Sequence, residues 1–207
     1  MQTSGLRIGV FGGAFDPPHL AHRALAEAAL AQLALDELWV LPTGQAWHKP
    51  RPLTDSAQRV AMARLAFSDL PPVHIDDRET RRSGPSYTWD TLTELQHERP
   101  GHTWFLIMGE DQAKAFPTWH RWREIADLAQ LVVARRDTGE GAPQGPFRSE
   151  WQNAIGQPVM TLQLPFMDIS ATRIRHTLAA GGDASAWLAR SVQDHIFQHQ
   201  LYRTEHE

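Results

Sequence analysis

The segment RIGVFGGAFDPPHLAH, residues 7–22, restricts the fold of this chain more than any other stretch of the sequence. A short apolar run at residues 8–11 is followed by two adjacent glycines, a Phe-Asp-Pro-Pro sequence and two histidines. Alanine and leucine then recur at the spacing of one helical face. This order predicts a β-strand, a tight turn and the start of an α-helix.

The predicted turn has the properties of an anion-binding site. Gly12 and Gly13 allow backbone N–H groups to approach a ligand closely. The helix that follows directs further N–H groups and a partial positive charge at the same point. His19 and His22 are spaced to share one helical face, so both imidazoles can reach the bound group. The segment therefore predicts phosphate binding.

The rest of the chain predicts a parallel sheet. After a helical stretch at residues 20–35, the apolar run 38–41 predicts a second strand, and together they form a right-handed βαβ unit. Further short apolar runs predict strands at 73–75, 104–108, 131–134 and 159–164. Further helices are predicted at 54–67, 88–98, 124–130, after Ser170 and at 187–202. We expect an α/β fold with a doubly wound parallel sheet of five to six strands. The single domain spans residues 1–207, with a surface excursion at 136–158 and a C-terminal helical tail at 188–207.

Composition excludes several classes of function. The formal net charge of -4 leaves no basic stripe for a nucleic acid. The absence of cysteine excludes disulfides, thiol catalysis and cysteine-ligated metals, and it agrees with a cytoplasmic location. No apolar run approaches the roughly 18 residues of a membrane span, and the N-terminus does not resemble a secretory signal. We expect a soluble chain without nucleic-acid or membrane partners.

A second anion-binding pattern, ISATRIR at residues 169–175, follows the last predicted strand. Ser170 can cap a helix whose first turns present Thr172 and Arg175. A capped helix N-terminus beside a guanidinium suits a phosphate group. We expect this helix and the N-terminal turn to converge on one polyphosphate at the rim of the sheet.

Taken together, these patterns resemble a known family. GG-x-FDP-x-H-x-x-H after the first strand is similar to the signature of the nucleotidylyltransferases with an HxGH-type motif, whose core is Rossmann-like. Within that superfamily the chain looks most like the bacterial nicotinate-nucleotide adenylyltransferases, from Arg7 to about Tyr202. Two positions depart from the pattern. Ala14 replaces a hydroxyl residue and Ala21 replaces a glycine, and we expect both to modulate binding without abolishing it.

The resemblance implies roles for particular residues. Positions matching catalytic residues are His19, His22, Lys49 and Arg175. Positions matching the ATP site are Gly12, Gly13, Ala14, Phe15, Gly109, Asp111, Ser170 and Thr172. Positions matching the nicotinate site are Thr88, in the sequence Ser-Tyr-Thr, and Trp119 and His120, in the sequence Phe-Pro-Thr-Trp-His. Backbone N–H groups near Trp119 are expected to bind the nicotinate carboxylate. No metal ligands are assigned, because Mg²⁺ would be held mainly by substrate phosphates and water.

The implied reaction is transfer of the adenylyl group of ATP to nicotinate mononucleotide, giving nicotinate adenine dinucleotide and pyrophosphate in NAD biosynthesis. A related alternative is an adenylyltransferase that accepts nicotinamide mononucleotide or phosphopantetheine. Two further alternatives belong to other classes. One is a metal hydrolase built on His19, His22 and a carboxylate such as Asp16. The other is a nucleotide-binding module without catalysis. The oligomeric state is not encoded in any of these patterns.

Overall fold

Six parallel strands form one sheet in the computed structural model, which describes residues 5–44, 53–136 and 148–203. The strands are β1 (Arg7–Gly13), β2 (Glu37–Pro42), β3 (Val73–Ile75), β4 (Thr103–Gly109), β5 (Gln130–Arg136) and β6 (Met160–Leu164). Their spatial order is β3-β2-β1-β4-β5-β6, and each neighbouring pair is parallel. The predicted α/β fold with a doubly wound parallel sheet is confirmed.

Helices cover both faces of this sheet. They are α1 (Leu20–Gln32), α2 (Ser56–Ala66), α3 (Arg78–Arg81), α4 (Thr88–Glu98), α5 (Glu110–Ala115), α6 (Trp122–Leu128), α7 (Ala171–Ala179) and α8 (Arg190–Gln198). Because side chains alternate along a strand, Phe11 belongs to an apolar cluster with residues of α1, α2, α7 and α8, whereas Val10 belongs to a second cluster with residues of α4, α5 and α6. None of the helices in the described ranges is long and apolar enough to cross a membrane.

Several helices begin or end away from the predicted residues. Helix α1 ends at Gln32, because Ala34 adopts a left-handed φ of 46° that turns the chain towards β2. Helix α2 is capped by Asp55, whose side chain accepts from the Ala57 and Gln58 N–H groups, and begins after Thr54. The segment between β3 and α4, where no helix was predicted, contains the short helix α3. The predicted C-terminal helix is confined to α8.

Part of the predicted surface excursion is packed against the domain. Trp151 is buried, and its indole N–H donates to the Ala113 carbonyl at 3.0 Å. Its ring centroid lies 5.1 Å from that of Phe116. Residues 148–158 therefore extend the apolar layer that covers the α4 side of the sheet.

Candidate active site

The order of the strands places a crevice between β1 and β4. From β1 the chain continues to β2 and β3 on one side of the sheet, and it then returns to β4 on the other side. In open parallel sheets, ligands bind at the carboxyl ends of the strands where this reversal occurs. A Cβ atom added to Gly12 or Gly109, near the ends of β1 and β4, would meet no atom within 4 Å. The backbone is therefore open to a ligand at both rims of the crevice.

The turn from Gly12 to Pro18, the elbow, presents its backbone to this crevice. Phe15 adopts a left-handed φ of 47°, while its ring is buried with 1% of its surface exposed. A turn that contains a residue in the left-handed conformation can direct successive N–H groups towards an anion. Within the part of the chain that the structure describes, neither the Ala14 nor the Phe15 N–H donates to a protein acceptor. The elbow can therefore offer these two donors to a phosphate.

The two histidines lie at the start of α1, directly after the elbow. The His19 N–H donates to Nδ1 of His22 at 3.2 Å, and the two rings stack with centroids 3.8 Å apart. The Phe15 ring packs 5.1 Å from the His22 ring. Because Nδ1 accepts a hydrogen bond, the proton of the neutral His22 ring lies on Nε2. The local structure thus orients His22 as a hydrogen-bond donor through Nε2.

The second motif meets the elbow directly. Ser170 caps α7 by accepting from the Arg173 N–H at 3.2 Å, as expected. One Arg175 N–H donates to the backbone carbonyl of Asp16 at 2.8 Å, and another donates to Oγ1 of Thr172 at 3.1 Å. The expected convergence of the two segments at one rim of the sheet is confirmed. The rim thus combines a helix N-terminus, a guanidinium and the imidazoles, all of which suit a polyphosphate.

Three polar side chains pack beneath the elbow backbone, and the sequence interpretation missed the contacts of all three: Asp16 and Arg59 are buried, and Tyr202 is half-buried. Asp16 is 1% exposed and accepts a hydrogen bond from the Tyr202 hydroxyl at 2.7 Å. Burial and the neighbouring Asp16 carboxylate raise the pKa of Tyr202. Arg59 is 2% exposed, and burial lowers the pKa of its guanidinium although Asp16 opposes this effect. The sequence could have identified Arg59 through its spacing, which places it on the same helical face as Met62 and Ala63. A charged residue is rare on such an apolar face unless it has a partner.

Arg59 binds backbone carbonyls of three separate segments. Its Nε donates to Thr54 at 2.9 Å, one terminal nitrogen donates to Ala14 at 2.9 Å and the other donates to Gly44 at 3.5 Å. Gly44 itself has no room for a side chain, because a Cβ atom would lie 2.2 Å from the Glu79 carbonyl oxygen. The elbow, the end of β2 and the start of α2 are thus joined through one guanidinium.

The residues assigned to a nicotinate site come from two segments that the structure brings together. Thr88 is the first residue of α4, and the preceding Tyr87 ring lies 4.5 Å from the His120 ring. Trp119 is half-buried and packs on Phe116 with ring centroids 5.4 Å apart. The Trp119 N–H donates to the Phe116 carbonyl at 3.0 Å. The donor expected from Trp119 is therefore engaged within its own turn.

The remaining residues with predicted roles are Gly109, Asp111 and Lys49. Gly109 precedes α5 as its N-cap residue, and Asp111 lies exposed in the first turn of that helix. Asp111 does not cap this helix, because Gly109 holds the N-cap position. Lys49 lies outside the described residues. Across residues 5–44, 53–136 and 148–203, no group of three or more His, Asp or Glu side chains could hold a metal ion. The alternative of a metal hydrolase therefore finds no ligand set in these ranges.

Comparison with known proteins gives consistent results. The sequence model of the cytidylyltransferase-like family matches residues 10–177. A protein of Albidiferax ferrireducens named "Probable nicotinate-nucleotide adenylyltransferase" is 50% identical over 200 residues, which cover 96% of this chain and 98% of that protein. A protein of Chromobacterium violaceum with the same name is 39% identical over 210 residues, covering 95% and 99% of the two chains.

The fold also matches a solved structure. The Plasmodium falciparum nicotinic acid mononucleotide adenylyltransferase complexed with NaAD aligns with a TM-score of 0.78 at 18% identity. The alignment covers 95% of this chain and 97% of that chain. At this level of identity the match supports the fold.

Proposed function

The chain belongs to the nicotinate-nucleotide adenylyltransferase family, and on this premise we propose that it transfers the adenylyl group of ATP to nicotinate mononucleotide. A phosphate oxygen of the mononucleotide attacks the α-phosphorus of ATP and forms a new P–O bond. The bond from the α-phosphorus to the oxygen that bridges to the β-phosphorus breaks, and pyrophosphate leaves. The products are nicotinate adenine dinucleotide and pyrophosphate, on the route to NAD.

The observation that carries this proposal is the hydrogen bond from Arg175 to the Asp16 carbonyl, which joins residues 159 positions apart in the sequence. It brings the N-terminus of α7 to the rim where the elbow N–H groups and His22 lie. Phosphoryl transfer needs alignment and charge neutralisation more than it needs a nucleophilic side chain. We assign the triphosphate to this rim, where His19, His22 and Arg175 balance the negative charge that develops as pyrophosphate leaves.

The acceptor binds at the other side of the crevice in this proposal. The aromatic surface of Trp119 supports stacking on the pyridine ring, and Thr88 provides a hydroxyl at the start of α4. Because the Trp119 N–H is engaged by Phe116, we assign the nicotinate carboxylate to the His120 N–H and the neighbouring N-terminus of α4. The distinction between acid and amide then depends on N–H donors that favour a carboxylate.

Mg²⁺ is the proposed cofactor. Mg²⁺ commonly keeps several waters and binds through substrate phosphates rather than a protein cage. The described residues contain no group of three or more His, Asp or Glu side chains that could hold a metal ion, so we assign the ion to the substrate phosphates. When bound, the ion neutralises phosphate oxygens during the transfer. Removal of the metal with a chelator is expected to abolish turnover, and added Mg²⁺ is expected to restore it.

One assay tests the proposed reaction against its alternatives. Pyrophosphate release is measured from ATP and Mg²⁺ with nicotinate mononucleotide, nicotinamide mononucleotide or phosphopantetheine as the acceptor. We expect the highest kcat/KM with nicotinate mononucleotide. A higher kcat/KM with either other acceptor would refute the assignment of the substrate. ATP binding without pyrophosphate release on any acceptor would favour the non-catalytic module.

We also propose a cytoplasmic location, which the absence of cysteine supports. Fractionation of cells that produce the protein at its natural level tests this location. Recovery in the membrane or secreted fraction would contradict it.

A further inference from the structure

The side chains of Asp16, Arg59 and Tyr202, which we call the buried cluster, pack beneath the elbow backbone, and none of these side chains is assigned to the chemistry described above. We propose that Arg59 and Tyr202 are positioning residues that hold the elbow in its nucleotide-binding shape. This inference rests on the proposed function, since it concerns the same triphosphate site. Its physical basis is the set of hydrogen bonds that connect the two side chains to the elbow backbone.

Burial of Arg59 has a large cost, which its hydrogen bonds must offset. A guanidinium removed from water loses favourable solvation unless its N–H groups find acceptors. Here the acceptors are the carbonyls of Ala14, Gly44 and Thr54, and the Asp16 carboxylate is the opposite charge that acts most strongly on the guanidinium. An apolar residue could fill the same space on α2 without this cost. The arrangement therefore favours a role in fixing the three backbone segments relative to one another.

The bond to Ala14 determines the direction of a phosphate-binding donor. A trans peptide is planar, and its C=O and the following N–H point in opposite directions. Because the Ala14 carbonyl points towards Arg59, the Phe15 N–H must point away from the buried cluster. If the Ala14–Phe15 peptide rotates, the direction of this donor changes. Arg59 thus fixes a backbone group that we assign to the triphosphate, although Arg59 itself is buried below it.

Tyr202 acts on the elbow through Asp16. One carboxylate oxygen of Asp16 accepts a hydrogen bond from the Tyr202 hydroxyl at 2.7 Å, and the other accepts from the Thr54 N–H at 3.4 Å. With its side chain held from below, Asp16 presents its backbone carbonyl to Arg175 at 2.8 Å. Tyr202 has a left-handed φ of 63°, and this turn after α8 brings the end of the described chain back under the site. The C-terminal segment therefore supports both the elbow and the guanidinium of α7.

A purely structural role makes a different prediction from a positioning role. If the buried cluster only stabilises the fold, its loss lowers the melting temperature and leaves the folded protein with normal nucleotide affinity. If it positions the elbow, loss of the contacts weakens nucleotide binding at temperatures where the protein is fully folded. Misplacement of a binding group by about 1 Å can cost up to about a hundredfold in catalytic efficiency.

The experiment uses the full chain and three variants. Arg59→Met removes the guanidinium but keeps the length of the side chain, and Tyr202→Phe removes only the hydroxyl. Arg64→Met is the matched control, because Arg64 lies on the same helix with 60% of its side chain exposed. For each protein, calorimetry measures the Kd for a non-hydrolysable ATP analogue with Mg²⁺. Steady-state kinetics then give kcat and both KM values, and thermal unfolding gives Tm.

We expect Arg59→Met and Tyr202→Phe to weaken binding of the analogue by about tenfold or more, within the range that misplaced groups produce. We expect the KM for ATP to rise together with the Kd of the analogue, while the KM for nicotinate mononucleotide changes by less than about twofold. The control variant matches the wild type. A folded Tyr202→Phe or Arg59→Met protein with unchanged Kd would overturn the inference for that residue. If Arg59→Met does not fold, Tyr202→Phe still decides whether the buried cluster positions the elbow.

The wild-type protein separates the failure of this inference from the failure of the proposed function. If the wild type does not bind the ATP analogue, the proposed function is wrong. If the wild type binds it and both variants bind it equally well, only the positioning role is wrong.

Discussion

At the scale of single residues, hydrogen bonding and ring packing fix the orientation of His22. Its Nδ1 accepts from the His19 N–H, and its ring packs between Phe15 and His19. In the neutral ring the proton then lies on Nε2, the nitrogen that we propose donates to a phosphate oxygen. The order Phe-Asp-Pro-Pro-His in the sequence predicted that His22 would lie near the turn. The tautomer and the stacking of the rings required the three-dimensional structure.

Replacing His22 by Ala is expected to lower kcat by about a hundredfold to a thousandfold, as loss of one donor to a transition-state oxyanion does elsewhere. The KM for ATP should change little, because the backbone N–H groups and Arg175 remain. Steady-state kinetics at saturating Mg²⁺ provide the measurement. His97→Ala, at an exposed position near the end of α4, is the control. A His22→Ala enzyme with nearly normal kcat would remove His22 from the mechanism.

Substitution of Gly12 is expected to weaken nucleotide binding without lowering the stability of the fold. A Cβ atom at Gly12 would touch nothing within 4 Å, so Gly12→Ala is expected to leave Tm within a few degrees of the wild type. The added methyl group would project into the crevice and weaken binding of an ATP analogue by about tenfold or more. Gly156→Ala is the matched control, because that Cβ also meets nothing within 4 Å and lies in the segment between β5 and β6. Unchanged affinity in Gly12→Ala would show that the nucleotide does not approach this glycine.

At the scale of elements, an ion pair joins the start of β2 to the end of α4. Both terminal nitrogens of Arg99 donate to Glu37, and the Trp39 indole N–H donates to the same carboxylate at 2.8 Å. The hydrogen bonds from Arg99 lower the pKa of Glu37 from 4.5 to about 2. Since the folded protein lowers this pKa, the ion pair stabilises the fold above about pH 4.5. The stabilisation is lost as the pH falls towards 2.

The Glu37→Gln variant is expected to lose about 1 kcal/mol of stability at neutral pH, the upper range for a partly exposed ion pair. Near pH 3 it should differ less from the wild type, because the wild-type carboxylate has lost part of its advantage there. Urea unfolding at both pH values measures the difference. Glu150→Gln, at an exposed position, is the control. If the difference in unfolding free energy between Glu37→Gln and the wild type is as large near pH 3 as at neutral pH, the pKa of Glu37 is not lowered by the fold.

The spacing of apolar residues predicted helices and strands correctly where neighbouring residues alone set the pattern. The ranges of β3 and α4 agree with the expected residues, and the other strands differ by one or two residues at an end. The short helix α3 was missed because its residues are almost all charged, so they show no apolar period. The C-terminal helix was overextended, because its apolar spacing continues into residues that turn back towards Asp16.

At the scale of the whole molecule, the proposed site requires both ends of the chain to act on one ligand. Binding of a non-hydrolysable ATP analogue with Mg²⁺ is expected to slow amide hydrogen exchange in residues 12–22 and in residues 170–178 together. Residues 93–98 of α4 serve as the internal reference, because this end of α4 lies beside the start of β2, at the opposite edge of the sheet from the crevice. Exchange measured by mass spectrometry reports all three segments in one experiment. Protection of one motif without the other would refute a shared triphosphate site.

The sequence alone determined the α/β fold, the parallel sheet and the positions of the two motifs predicted to bind anions, because each follows from periodicity or from residue types that are close together along the chain. It could not determine which strands border the crevice, nor that Arg175 reaches the Asp16 carbonyl. It also gave Arg59 and Tyr202 no role, although both lie beneath the elbow. Those contacts join residues far apart in sequence, and only the packing of helices on both faces of the sheet brings them within hydrogen-bonding distance.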